Sequence, residues 1–380
     1  MKLSMDGFIM KLSIERAALL RSLNHVQSVV ERRNTIPILS NVLMKAEDGV
    51  LSMSSTDMDL EINDSVAAVV SDAGATTAPA HTFHDIVRKL PDGSTVEIEL
   101  NEEGTQMFVR AGRSEFKLSC LPVIDFPEIS TGELPVQFST PASDLRALID
   151  RTKFAMSTEE TRYYLNGIYV HEAEQNDVKV LRAVSTDGHR LARFEMPLPE
   201  GAEGMPGVII PRKAVGELRK LIEDAADVIR ISLSDNKIRF SFDHIVMTSK
   251  LIDGTFPDYQ RVIPQGNDKV VEVDPKVFTK AIDRVSTISD GKSRALKISL
   301  AGKQMTLSAS SAESGSAVEE MEVNGDSNIE IGFNAKYLLD ITSQIEGEGC
   351  RLTLADSASP TIIQDNSDPS SLYVLMPLRV

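Results

Sequence analysis

The sequence predicts an α+β fold built three times over, each copy carrying two amphipathic helices beside antiparallel strands. Three observations lead there. A strand, a capping residue and an amphipathic helix recur at "MKLSIERAALLRSLNHVQSVV", "FSTPASDLRALIDRTKFAM" and "VEVDPKVFTKAIDRVSTIS". A second strand-then-helix unit follows in each copy, at "ATTAPAHTFHDIVRKL", "GVIIPRKAVGELRKLI" and "IEIGFNAKYLLDITSQI". Apolar and polar residues then alternate in "STVEIEL", "VIRISLSDNKIRFSF" and "CRLTLAD", the period of a half-buried strand. Copies spaced this far apart are duplicated domains, not a solenoid.

In the first copy Ser13 is the expected helix cap. Leu19, Leu23, Val26 and Val30 then share an inward face, with Arg16, Arg21 and His25 opposite. In the second, Thr140 is the expected cap and Pro141 the first helical residue, the place where a missing N–H costs nothing. Leu145, Leu148 and Ile149 face inward there, and Arg146, Arg151 and Lys153 outward. In the third, Asp274 and Pro275 take the same two roles, with Phe278, Ile282 and Val285 inside and Lys276, Lys280 and Arg284 outside. The second helices add Arg88, Lys89, Arg212, Lys213, Arg219 and Lys220. The expected organisation is an N-terminal extension at 1–9, marked by a repeated "MKLS", followed by domains at 10–130, 137–263 and 270–380. Polar stretches, "STGELP" and "IPQGNDK", join them.

The net charge of −16 argues against a surface that wraps nucleic acid, provided the charge is evenly spread. It is not. Cations recur on one face of successive helices, while acids crowd into "EIELNEE", "AESGSAVEEMEV" and "SQIEGEG". Screening confines each charge to about 10 Å at ordinary salt, so a basic lining is compatible with an acidic exterior. Two distant cysteines, Cys120 and Cys350, suit a reducing cytoplasm and exclude a CxxC zinc or disulfide framework. No apolar run approaches the roughly 18 residues of a membrane helix.

Catalytic motifs are missing. The six histidines include no HExxH, and no nucleophile elbow or dinucleotide fingerprint is present. "SDGKS" resembles the end of a phosphate loop, but Ser286 stands where its earlier glycine is required, so it reads as an ordinary loop. In "STDGHRLARF", Asp187, His189 and Arg190 look like a catalytic group, yet no nucleophile or metal ligand accompanies them. The stretch reads instead as a turn leading into a strand at Leu191, Ala192 and Phe194. The first copy has "STDMDLEI" there, with Met58 and Asp59 in place of Gly188 and His189. Only the second copy combines this change with "TRYYLNG", Thr161 to Gly167, which points to a local binding duty. No catalytic residue, cofactor or metal is expected.

"TIPILSNVL", "GRSEFKLSCLPVIDFP", "RYYLNG", "TDGHRLA", "PRK", "TSKLIDGTFPDY", "IGFN" and "YVLMPLR" occur in order between Met10 and Val380. On these motifs the chain resembles the bacterial DNA polymerase III beta subunits, the replicative sliding clamps. The resemblance implies a cytoplasmic, non-catalytic processivity factor. It implies a head-to-tail homodimer closing into a ring around duplex DNA without sequence preference, two helices per domain facing the hole and antiparallel sheets outside. It also implies a groove between the second and third domains that takes short peptides from the replicative polymerase catalytic subunit, the clamp loader, other polymerases and mismatch-repair proteins. The matching groove residues are Leu165, Thr186, Gly188, His189, Arg190, Leu191, Pro257, Arg261, Val262, Asn334, Tyr337, Pro360, Val374, Leu375, Met376, Pro377, Leu378 and Arg379. His189 and Arg190 are expected to frame it as polar rim. Implied DNA contacts are Arg33, Arg88, Tyr163, Tyr164, Arg212 and Lys213, and the implied dimer seam is Phe116 and Leu118 against Thr287 and Ile288. Departures from the family pattern are His81, Glu159, Glu160, Thr287 and Pro360. A clamp paralogue with a specialised role, such as drug-resistance binding, is the alternative reading of the same motifs.

Overall fold

The computed structural model describes residues 10–129, 132–223, 227–289 and 294–379. The expected N-terminal extension and residues 290–293 of the "SDGKS" loop lie outside them. Six α-helices are described: α1 (Arg16–Gln27), α2 (Ala80–Lys89), α3 (Ala142–Asp150), α4 (Arg212–Leu221), α5 (Pro275–Ser286) and α6 (Ala335–Thr342). They fall in the six segments that the repeats marked out.

Two of the expected helix starts move. Strand Lys11–Glu15 runs directly into α1, with Ser13 paired to Glu97, so the cap is Glu15, whose carboxylate accepts from the Ala17 and Ala18 amides. Thr140 and Pro141 stay in strand Val136–Pro141, paired with Ile229 and Val228, and α3 begins at Ala142. That strand lies at a sheet edge, where proline is tolerated. At α5 the expectation holds. Asp274 Oδ1 accepts from the Lys276 and Val277 amides at 2.8 and 3.0 Å, and Asn334 caps α6 in the same way.

Contacts divide the chain into two compact units. One comprises residues up to Ala142 together with Gly216–Leu251, and holds two antiparallel sheets. A five-stranded sheet runs Val69–Asp72, Lys11–Glu15, Thr95–Leu100, Gln106–Ala111, Ser114–Ser119. An eight-stranded sheet runs Val136–Pro141, Val228–Leu233, Lys237–Phe242, Ile245–Lys250, Leu60–Ala67, Val50–Thr56, Asn41–Glu47, Gly74–Pro79. The other unit, Ser143–Val215 with Ile252–Val380, holds a ten-stranded sheet. Its order is Val208–Pro211, Gly167–Gln175, Val178–Thr186, Arg190–Pro197, Ser371–Leu375, Thr361–Asp365, Cys350–Leu354, Lys269–Val273, Gly315–Asn334, Ala295–Ser311.

The sheets do not stop where the sequence repeats stop. Leu60–Ala67 of the first repeat pairs antiparallel with Ile245–Lys250 of the second, from Leu60↔Ser249 to Asp64↔Ile245. Arg190–Pro197 of the second pairs with Ser371–Leu375 of the third, from Arg190↔Leu375 to Phe194↔Ser371. Each ladder satisfies backbone groups that an isolated repeat would leave bare along a strand. The helices bury the faces expected of them. Leu19, Leu23 and Val26 of α1 are buried, and Phe278, Ile282 and Val285 of α5 meet Leu338 and Ile341 of α6 in one cluster.

Candidate peptide groove and nucleic-acid interface

The turn at "STDGHR" is built from its own side chains. Thr186 Oγ1 accepts from the Gly188 amide at 3.0 Å and donates to the Arg190 carbonyl at 2.7 Å. Asp187 Oδ1 accepts from the His189 and Arg190 amides at 2.9 and 3.0 Å. Gly188 adopts φ +86°, a left-handed conformation that glycine enters without strain, and a Cβ there would lie 2.9 Å from Arg162 Nη1, so any side chain would have to displace that guanidinium. The aspartate is thus committed to the turn rather than to activating the histidine.

The same turn recurs in the first repeat. Thr56 Oγ1 accepts from Met58 (φ 78°), and Asp57 Oδ1 accepts from Asp59 and Leu60. Even the cross-strand bond is duplicated: the Lys250 amide donates to the Asp59 carbonyl at 2.8 Å, and the Met376 amide to the His189 carbonyl at 2.9 Å. Duplication therefore fixes the backbone, and any local duty resides in the side chains.

Arg190 is not rim. Its side chain is only 7% exposed and bonds Asp187 Oδ2 (3.2 Å), Asp340 Oδ2 (2.5 Å) and the Phe154 carbonyl (2.6 Å). Its guanidinium lies over the Tyr337 ring at 4.3 Å and the Phe154 ring at 5.2 Å. It ties the turn to α6 and to the segment after α3, a task suited to a planar five-donor fork. His189 does sit at the surface, stacked on Tyr337 with ring centroids 6.2 Å apart.

The remaining residues implied for a groove separate into buried and exposed sets. Leu165, Leu191 and Val374 are buried in one apolar cluster with Phe256, Tyr259 and Leu372, and Leu375 is buried in the neighbouring cluster. Val262 (49%) and Met376 (39%) are large apolar side chains left exposed, and Pro257, Arg261 and Arg379 are exposed beside them in sequence. Thr186, Tyr337, Pro360, Pro377 and Leu378 are half-buried; Asn334 is occupied as the α6 cap. The chain's last strand is pinned beyond its ladder by Leu378 N donating to the Gly332 carbonyl at 2.7 Å.

The basic helix faces are less free than the sequence pattern suggests. Arg16, 12% exposed, donates to the Val87 and Arg88 carbonyls at the end of α2 and to Asp92. Arg151 bonds Asp368 at 3.0 Å and the Gln344 carbonyl, Arg284 is held by Glu319, and His25 by Asp64 at 2.8 Å. Orphan carbonyls at helix ends and neighbouring acids claim these donors first. Arg21, Lys89, Lys276 and Lys280 remain exposed. Of the implied DNA contacts, Arg33 and Arg88 are exposed, the latter beside Asp85 at 3.1 Å. Arg212 is half-buried and donates to the Ser157 carbonyl at 2.5 Å; Lys213 is half-buried too. Tyr163 and Tyr164 sit edge to face, 5.7 Å apart, on the turn Glu160–Leu165, with Gly254 packed against both.

In the implied dimer seam, Leu118 is 7% exposed and faces its own sheet beside Met107, whereas Phe116 and Ile288 are half-buried and Thr287 is exposed. Burial pushes the Cys350 thiol up to about 12 and raises that of Cys120, so neither is a reactive thiolate. Among the described residues no group of three or more His, Cys, Asp or Glu could hold a metal ion, and no helix is long and apolar enough to cross a membrane.

Three consecutive segments match the domains of one protein family: residues 10–130 the N-terminal, 139–258 the central and 260–379 the C-terminal domain of the DNA polymerase III beta subunit. The chain belongs to the DNA polymerase III beta subunit family. Similar relatives include the beta sliding clamp of Caulobacter vibrioides, 53% identical over 98% of this chain and 100% of the relative. That of Escherichia coli K12 is 39% identical over the same shares. Among solved structures, a Caulobacter crescentus clamp with PEG bound superposes with a TM-score of 0.96 at 53% identity, covering 99% of this chain and 100% of that one. A Bartonella birtlesii clamp bound to griselimycin gives 0.95 at 50% identity, covering 98% and 100%. As a beta sliding clamp the chain serves DNA replication as a processivity factor of DNA polymerase III, without catalysis of its own, and its partners are DNA and the polymerase.

Sequence reasoning missed Asp340 and Phe154 as the partners of Arg190. Asp340 could have been found, because it follows Tyr337 by three residues on one helix face. The Phe154 carbonyl could not, since backbone acceptors leave no mark in a sequence.

Proposed function

We propose that the chain acts as a head-to-tail homodimeric ring in the cytoplasm, with domains at 10–130, 137–263 and 270–380, encircling duplex DNA and sliding along it. Two sheet edges support this: Ser114–Ser119 ends the five-stranded sheet and Ala295–Ser311 ends the ten-stranded one. Edge strands that join across copies would continue the sheets and remove both exposed edges. Arg33 and Arg88, with Tyr163 and Tyr164, meet phosphates and sugars, contacts that hold a duplex without reading its sequence.

The groove edged by Gly188, His189, Pro257, Val262 and Met376 takes short peptides from the polymerase catalytic subunit, the clamp loader and repair proteins. The observation that carries this reading is the pair of exposed apolar side chains, Val262 and Met376, bordering a buried floor of Leu165, Leu191 and Val374. A peptide burying two or three apolar side chains gains roughly 1.5–3 kcal/mol from each, before ordering costs. Affinity for one motif is then around micromolar, which suits partners that take turns. The test is capture of a peptide from the polymerase catalytic subunit by the full chain and by a chain ending at Leu375. Equal capture by both would refute the assignment.

A further inference from the structure

The short turn Tyr259–Val262 carries the exposed groove residues Arg261 and Val262, and Pro257 lies just before it. A single 3₁₀ turn has little internal bonding to hold it against a sheet. Its anchor is Tyr259, whose side chain is buried among the strands of the central repeat. Arg182 Nη1 donates to Tyr259 Oη at 2.9 Å, while Arg182 Nε binds Glu195 Oε1 at 2.7 Å and Nη2 binds Gln175 Oε1 at 3.3 Å. On the other side Tyr259 Oη lies 3.0 Å from His171 Nε2, and His171 Nδ1 lies 2.7 Å from the Glu172 carbonyl oxygen.

The direction of every bond follows. A carbonyl only accepts, so Nδ1 carries a hydrogen; in the neutral ring Nε2 is then bare, and the tyrosine oxygen, which accepts from the arginine, gives its own hydrogen to it. The chain runs from Arg182 through Tyr259 and His171 to the Glu172 carbonyl, with a neutral imidazole. The same ring is packed into the wall: Tyr169 stacks on His171 at 4.6 Å and on Phe256 at 4.9 Å, and Phe256 precedes Pro257.

We infer that Arg182, Tyr259 and His171 are positioning residues for the peptide groove, a directed hydrogen-bond chain that holds its Pro257–Val262 wall in place only while His171 is neutral. The inference rests on the groove reading above. Protonating His171 turns both ring nitrogens into donors, strands the tyrosine hydrogen, and adds a cation beside Arg182. The carboxylate nearby, Glu195, is already shared between Arg182 and Arg193 at 2.7 and 3.2 Å. Burial lowers the His171 pKa, the Glu172 carbonyl bond raises it, Arg182 lowers it and Glu195 raises it, and the net direction is below the ordinary 6.5. A depressed histidine favours the native arrangement fully above 6.5, and that support is withdrawn as the pH falls from there toward the lower folded value.

Peptides tiling the DNA polymerase III catalytic subunit supply the probe, and the tightest binder is measured against the full chain by fluorescence anisotropy at about pH 7.5 and about pH 5.5. Wild type is expected to weaken about fivefold at the lower pH, one hydrogen bond's worth. His171→Gln, whose amide oxygen accepts the tyrosine hydrogen at any pH, should lose that slope. Tyr259→Phe should bind more weakly than wild type at both pH values. Nitrogen chemical shifts of the His171 ring in the free chain should report the Nδ1–H tautomer at neutral pH. The inference is overturned by a slope that persists in His171→Gln, by full-strength binding to Tyr259→Phe, or by an Nε2–H tautomer. Failure of every peptide to bind wild type overturns the groove reading itself, a result distinct from binding that ignores pH.

Discussion

Replacing Arg190 tests the strongest structural claim about the groove, that its most buried cation is a strut. Arg190→Ala removes three hydrogen bonds, to Asp187, Asp340 and the Phe154 carbonyl, together with the stacking on Tyr337. Breaking a buried charge pair costs about 3–5 kcal/mol. Asp340 keeps 32% of its side chain in water, so the cost falls at or just below the bottom of that range, about 2–3 kcal/mol. A chain of several domains does not unfold in one step, so local hydrogen exchange is the right measure. Amides at 188–191 and in α6 should exchange faster by about 30- to 150-fold, the equivalent of that energy. Arg190→Lys keeps the charge but reaches at most one or two of the partners, and should recover less than half of the protection. Exchange rates within a factor of about three of wild type in Arg190→Ala would refute the strut, and a rim role would then be the better account.

Met376→Asp should weaken peptide capture by at least about tenfold, seen by anisotropy, while leaving thermal unfolding unchanged, because the side chain is already 39% exposed. Leu118→Asp buries a charge in its own sheet and should unfold the first domain by circular dichroism. Phe116→Asp with Ile288→Asp should instead give folded monomers in sedimentation velocity. Arg16→Ala should lower the melting temperature with little change in DNA retention, whereas Arg33→Ala and Arg88→Ala should each reduce the salt slope of DNA binding by about one. Burial pushes the Asp365 carboxyl up, but bonds from Ser367, Gly347 and Glu346 outweigh it and hold the pKa below its ordinary 3.8. Its contribution is therefore complete above pH 3.8 and lost as acid titration passes the lower folded value; in Asp365→Asn that part of the acid unfolding curve should disappear.

The triple repeat, the six helices and the strands that lead into them were legible because each has a periodic pattern or a capping residue to announce it. Asp274 announced α5 correctly, since an aspartate before proline has few other uses there. Ser13 and Thr140 misled because a strand that runs straight into a helix needs no turn, so its last residues look like caps while still paired. The "STDGHR" turn was readable as a turn, as Thr186 and Asp187 bond within the next few residues. The burial of Arg190 was not, because its partners lie 36 and 150 positions away. Charge on a helix face was readable as charge, but not as available charge: Arg16 and Arg151 find carbonyls that no side-chain pattern encodes.

The ladders that cross from one repeat to the next have a practical corollary. Each repeat completes its sheet with a strand supplied by its neighbour, so cutting the gene at the "IPQGNDK" linker would strip Arg190–Pro197 of its companion and leave an adhesive margin. A backbone nick in that linker, by contrast, should release nothing, because the severed halves stay annealed along Ser371–Leu375. What was copied as a module during duplication no longer survives alone as one.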